Sequence, residues 1–158
     1  MENLKWTNAA VSGMEPLQLL GPLDALGPYV EYLILALVLV NMATRARAHH
    51  LHTRQAEESD DAEALARSTL HEGTNALLIL TSFYFLTYEA HAGMVMSVLV
   101  VGMVVSDFFE FEARKVEARK DEPLDRPNGA LFASAIVLLY AAYQALFFLI
   151  KPLWSAIV

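Results

Sequence analysis

Three groups of polar side chains sit in or beside the long apolar stretches of this chain, and their types limit the chemistry open to it. Asn41, Asn75 and Asp107 form the first group, with Thr74 and Ser106 close by in sequence. Two amides and a carboxylate can bind a cation or relay a proton. They can equally hold one helix to another, each bond contributing on the order of 1 kcal/mol or less. Glu31, Glu89, His91 and Lys151 form the second group. Ionisable groups at one level of a membrane read as a proton or cation uptake site, or as hydrated, mutually paired side chains among the lipid headgroups. His49, His52 and His71 form the third. His49 and His52 are three apart and share a helix face, and neutral imidazoles ligate zinc and haem iron.

Each group has a plainer reading beside the chemical one. The run His49, His50, Leu51, His52 is not a recognised ligand spacing, and it follows Arg45 and Arg47 as an ordinary basic flank would. Haem held between facing helices needs histidines at matched depth, whereas His71 and His91 fall at opposite ends of one span. A continuous ion path needs polar groups at several depths, and the middle of the chain's apolar runs offers only Thr81, Ser82 and Ser97, with Gln144 further along.

No catalytic signature appears: GxSxG, HExxH, GxxxxGK(S/T) and GxGxxG are all missing. With no cysteine, thiol catalysis, disulfides and iron–sulfur ligation are excluded, and Asp107 has no second Asp in another span for aspartyl proteolysis. The sequence thus assigns no catalytic, cofactor-binding or metal residue, implies no cofactor, and points away from an enzyme.

The elements that must position these residues are four apolar runs, expected to span a bilayer as helices. Residues 28–44, 73–88, 92–109 and 129–150 are the expected spans. The second is the shortest and carries six hydroxyl residues; the fourth carries no charge. Residues 89–91 make a tight hairpin. The expected fold is all-α, a membrane-embedded antiparallel four-helix bundle. Of the eleven Lys and Arg residues, nine fall in the segments 45–72 and 110–128. Positive residues stay on the cytoplasmic side, so both segments are expected inside, with residues 1–27 and 151–158 outside. Tyr29, Tyr32, Tyr88 and Trp154 cluster on that outer side, as interfacial aromatics do.

Within the inner segments, Ser59 ahead of Asp60, Asp61 and Glu63 predicts a short capped helix from Asp60 to Arg67. The third helix is expected to continue as EFEARKVEARK, with Glu110 pairing Arg114 and Glu117 pairing Lys120, until Pro123 and Pro127 stop it. Residues 1–27 lack the basic and apolar regions of a cleavable signal and are expected to remain, with at most a helical turn at Pro22 to Leu26. Small residues four apart, Gly93/Ser97, Gly102/Ser106, Ala130/Ser134 and Ala141/Ala145, predict close helix packing inside the bundle. The net charge of −7 argues against a nucleic-acid partner, and the acidic loops suit a high-salt cytoplasm.

The stretches GPLDALGPYVEY (21–32), HAGMVMSVLVVGM (91–103), DFFEFEARKVEARKDEPLDRPNGAL (107–131) and LLYAAYQALFF (138–148) resemble an uncharacterised family of small four-helix integral membrane proteins of haloarchaea. The resemblance runs from about residue 17 to the end and implies a haloarchaeal cell membrane, with no activity attached. On this reading the partners are the lipid bilayer and other membrane subunits or copies of the chain itself. The leading expectation is a non-enzymatic accessory or structural subunit of a membrane complex. The alternatives are a small oligomeric ion or solute transporter or channel built around Asn41, Asn75 and Asp107, and a metal sensor using His49, His52 and His71.

Overall fold

In a computed structural model of the chain, which describes residues 25–58, 65–120 and 122–157, a 3-10 turn at Gly27–Tyr29 leads into four long helices. These are α1 (Val30–Glu58), α2 (Thr69–Tyr88), α3 (Ala90–Arg119) and α4 (Asn128–Ile157). They form an antiparallel ring in which α1 packs on α2 and α4, and α3 packs on the same two. The segments Gly27–Ala56, Ala90–Arg119 and Asn128–Leu149 are long and apolar enough to cross a membrane. The 20-residue α2 is not among them, because His71, Glu72, Asn75 and its hydroxyl residues lower its hydropathy. It is carried between α1 and α3 instead.

The helices overrun the spans expected from hydropathy. At 1.5 Å per residue, the 29 residues of α1 measure about 43 Å, against a hydrocarbon core of about 30 Å. The backbone from Arg45 to Glu58, expected as loop, is therefore helix. Similarly, α2 begins at Thr69, and α4 continues through Pro152 to Ile157. The third helix does extend through the EFEARKVEAR run before stopping at Lys120. The expected helix from Asp60 to Arg67 lies mostly outside the described residues, and its described part, 65–67, is not helical. Pro22 and the side chain of Trp154 lie outside them too.

The hairpin between α2 and α3 is tighter than three residues. Only Glu89 leaves helical geometry, at φ −127° and ψ 93°. Its N–H donates to Phe85 O (2.8 Å) and its carbonyl accepts from Gly93 N (2.7 Å). A Cβ at Gly93 would overlap the backbone of Phe85 and Leu86, so glycine there lets the two helices touch. Ser97 continues the contact one turn on, its hydroxyl donating to Ser82 O at 3.0 Å. The expected small-residue packing holds also for Ala130, Ser134, Ala141 and Ala145, all buried. Gly102 differs: it faces open space on the outside of α3.

Burial follows one stripe per helix. On α2 it is His71, Thr74, Asn75, Leu78, Thr81, Ser82 and Phe85, the three-and-four spacing of a single face. The middle of the bundle is apolar, built from Ile34, Val38, Leu78, Phe85, Met96, Val100, Met103 and Val137. Polar side chains replace apolar ones on the same stripes at the end where α1 meets Asn41 and α3 meets Asp107. Large apolar residues such as Leu39, Leu80, Val98, Phe109, Phe132 and Leu139 face outward, as a lipid-facing surface requires.

Candidate functional site

The three residues of the first polar group meet. Asn41 Nδ2 donates to Asn75 Oδ1 (2.6 Å) and to Thr74 Oγ1 (3.1 Å), and Asn75 Nδ2 donates to Asp107 Oδ2 (3.3 Å). Thr74 Oγ1 in turn donates to His71 O at 2.8 Å. The Thr44 hydroxyl lies 2.9 Å from Asn41 O and 3.1 Å from both His71 Nδ1 and Thr74 Oγ1.

At the centre of this cluster is a residue that charge counting assigns to a loop. Arg45 is 1% exposed and is among the largest fully buried side chains. Its Nε donates to Asp107 Oδ1 (3.1 Å), and its Nη2 donates to Asn41 Oδ1 (3.3 Å). Its Nη1 donates to Ala130 O (2.9 Å) and to Ser134 Oγ, which itself donates to Ala130 O (2.7 Å). The second oxygen of Asp107 receives His71 Nε2 at 2.9 Å. A buried guanidinium is tolerable only when an opposite charge and hydrogen-bond acceptors replace the water it has lost. Here Asn41 of α1, Asp107 of α3, and Ala130 with Ser134 of α4 supply them, and α2 joins the cluster through Asp107, whose Oδ2 accepts from His71 and Asn75.

A second layer lies further toward the same end. Arg114 Nη1 donates to His52 Nδ1 (2.9 Å), so the His52 proton sits on Nε2, which faces Ala66 O at 3.2 Å. Glu110 Oε1 accepts the N–H groups of Gly129 (2.6 Å) and Ala130 (3.0 Å), capping α4 from the side of α3. A Cβ at Gly129 would stand only 2.9 Å from that oxygen, so a side chain there would push the cap away. Arg67 reaches Glu72 (3.0 Å) and Glu112 (3.5 Å) and lies over the rings of Phe108 and Phe111, 4.6 Å from each. Between the two layers is a cavity of about 10 Å³, room for roughly one water, bordered by Arg45, Arg67, Ser68, His71, Asp107 and Arg114 among others.

Of the expected ion pairs, Glu110 and Arg114 approach to 3.9 Å. Among the described residues no ion pair joins Glu117 to Lys120; Glu117 Oε2 accepts Asp125 N–H at 3.0 Å. The third polar group is not brought together: His71 is engaged by Asp107 and Thr44, His52 by Arg114 and Ala66, and His49 Nδ1 is buried without a partner. Among the described residues no three His or acidic side chains are grouped to hold a metal ion. The second group gathers at the opposite end without internal pairing among the described residues. Glu31 and Lys151 line one open groove of about 440 Å³ with Tyr32, Tyr143, Phe147 and Phe148, while Glu89 and His91 are exposed.

Chemically, the arrangement is a satisfied clamp. One turn beyond Asn41, Asn75, Asp107 and Ser134, toward the other end, stand Val38, Leu78, Met103 and Val137, all 0% exposed, so the polar layer is sealed by a dry one. The residues that sequence reasoning missed, Arg45, His71 as a partner of Asp107, and Arg114, carried one legible signal. On α1 the buried series Ile34, Val38, Asn41, Arg45, Ala48, His52 alternates steps of four and three, Arg114 continues the α3 series Met103, Asp107, Phe111, and His71 opens the α2 series Thr74, Asn75, Leu78, each on the core face of its helix.

A protein-family model described as a domain of unknown function, DUF7313, matches residues 15–158. No curated protein matches, and no solved structure matches.

Proposed function

Because the chain belongs to that family of unknown function, whose description brings no chemistry with it, we propose from its own geometry that it is a non-enzymatic subunit of a membrane complex, acting as a rigid helix-packing element. The observation that carries this reading is the Arg45–Asp107 clamp, in which the strongest chemistry of the chain is spent on joining its own four helices. A binding or conducting site leaves polar groups facing a path; here the groups face one another, with a dry layer beneath. The outward surface, apolar on every helix, is open to lipid and to neighbouring helices alike. The acidic loops and the sequence resemblance support a haloarchaeal cell membrane as its place, and the charge asymmetry supports a cytoplasmic position for the Arg45 end with both termini outside.

The test is purification of the tagged chain from its native membrane in mild detergent. Recovery of a defined larger assembly, with a second membrane protein in fixed ratio, is the expected result. A solitary chain under the same conditions overturns the proposal.

The transporter reading has a specific observation in its favour, the contact of Asn41, Asn75 and Asp107 across three helices. It requires the dry layer at Val38, Leu78 and Met103 to open. Proton or cation flux into liposomes that disappears in Asp107→Asn supports it, and unaltered flux in that variant removes it.

A further inference from the structure

The clamp satisfies its own groups, but the cavity beside it does not. We propose that this cavity, between the first turn of α2 and the Arg114 guanidinium, is a binding site for a single small monatomic anion of the halide class. Three observations meet there. Arg114 is 5% exposed, and its Nε is buried with no hydrogen-bond partner. A buried, unsatisfied N–H on a charged group is destabilising enough to call for an occupant.

Second, Arg114 is the least compensated of the cations lining the cavity. Arg45 has Asp107 at 3.1 Å and Arg67 has Glu72 at 3.0 Å. The nearest carboxylate to Arg114 is Glu110, whose Oε2 lies 3.9 Å from Nη2 and is itself buried without a hydrogen-bond partner, while its other oxygen is committed to the N-terminus of α4. Its closest hydrogen-bond partner is the neutral acceptor His52 Nδ1. Glu112 adds little, since it is shared between Arg67 and Lys115.

Third, α2 begins at the cavity wall. Ser68 is its N-cap residue, lines the cavity, and makes no capping hydrogen bond through its side chain. The first turn of a 20-residue helix, with its share of the helix dipole, therefore begins at the cavity wall without a side-chain cap. A helix N-terminus and a buried guanidinium facing one small space are the two donors that anion sites combine. Size selects the occupant. About 10 Å³ admits one water-sized body, which excludes phosphate, sulfate and lipid headgroups; a halide fits with a small outward shift of Arg67, the half-buried side chain at the rim. The ion would take Arg114 Nε–H, the Ser68 hydroxyl and the α2 N-terminus as donors. Asp107 and Glu72, which also line the cavity, are already held by Arg45 and Arg67.

The experiment uses the full chain in detergent, with sodium chloride or bromide compared with sodium gluconate and sodium sulfate at equal ionic strength. Chloride and bromide are expected to raise Tm saturably by roughly 2–4 °C, and the larger anions to leave it unchanged. Arg114→Gln is expected to abolish the difference between salts. Because that variant can fail to fold, chlorine-35 NMR line broadening on the unaltered chain provides the second readout: saturable broadening, displaced by bromide, is expected. Equal Tm in all four salts with no saturable broadening would mean that the cavity holds only water, and overturns the proposal. So does a folded Arg114→Gln that keeps the halide dependence. The outcome is independent of whether the chain copurifies with a partner.

Discussion

Replacing Asp107 with Asn separates two accounts of the polar layer, one in which hydrogen bonds do the joining and one in which charge does. Interhelical hydrogen bonds in a membrane average about 0.6 kcal/mol and reach about 1.7. Removing the counter-charge of a buried ion pair destabilises by about 3–5 kcal/mol, because the partner is left uncompensated. Arg45 and Asp107 are 1% and 8% exposed, so the second figure applies. The substitution is close to isosteric and can keep the acceptor for Arg45 Nε. The new amide NH2 would then stand where Asp107 Oδ2 receives His71 Nε2 and Asn75 Nδ2. His71 can answer by moving its proton to Nδ1 and donating to Thr44, but Asn75 cannot turn its amide without losing the bond from Asn41. The expected loss is therefore at least about 3 kcal/mol, read as a shift of the unfolding midpoint in mixed micelles with helicity followed by circular dichroism. The companion variant Arg45→Met/Asp107→Leu removes both charges and should lose clearly less than the sum of the two single variants, the remaining loss coming from the His71 and Asn75 donors left without Asp107 Oδ2. A loss below about 1 kcal/mol in Asp107→Asn, or a double variant whose loss is the sum of the two singles, refutes the argument.

Three further outcomes are expected. Gly93→Ala pushes a methyl into the Leu86 backbone and should destabilise the hairpin by about 1–3 kcal/mol, whereas Gly102→Ala, which meets open space, should stay within about 0.5 kcal/mol of the original; the same micelle unfolding compares them. Glu110→Ala removes the cap on Gly129 and Ala130 and should lower stability by about 1–2 kcal/mol, with the N-terminal amides of α4 losing hydrogen-exchange protection. Since the chain has no native cysteine, His91→Cys and Arg126→Cys report sidedness cleanly. A membrane-impermeant maleimide should label the first in intact cells and the second only after permeabilisation; the reverse pattern would invert the orientation.

Apolar length and turn residues carried most of the fold. The proline-bearing break at 123–127 and the short hairpin at Glu89 located the helix partners, and hydropathy located the stretches that run through the bundle. What hydropathy hid was helix continuing beyond the lipid-like run. Arg45, Ala48 and His52 were expected in a loop because a charged residue ends an apolar window, although backbone hydrogen bonding in α1 continues to Glu58. Hydropathy sums over all faces of a helix, whereas burial depends on one. Asn41, Asn75 and Asp107 were recognisable as neighbours because polar residues near one membrane boundary on different helices have few other places to go. Their partner Arg45 was not, because a cation near a span end has a second explanation ready in the positive-inside bias. The histidines failed as a set for a related reason. Spacing places His49 and His52 on one helix, but their separate engagements depend on what α3 and the residue 65–68 connector bring against them.

The burial of Arg45 also separates two moments in the life of the chain. While a segment is being inserted, its flanking cations are sorted before the helices have found one another, and at that stage Arg45 stands beside Arg47 as one more positive charge resisting translocation. Once α2, α3 and α4 have closed around it, the same guanidinium is withdrawn from water and from headgroups. Under the proposed orientation the residue helps to choose a direction first and a set of neighbours afterwards. On that same orientation, a substitution at Arg45 is expected to give errors of orientation because the charge is missing during synthesis, whereas a substitution at Asp107 leaves that charge in place and is expected to give errors of assembly.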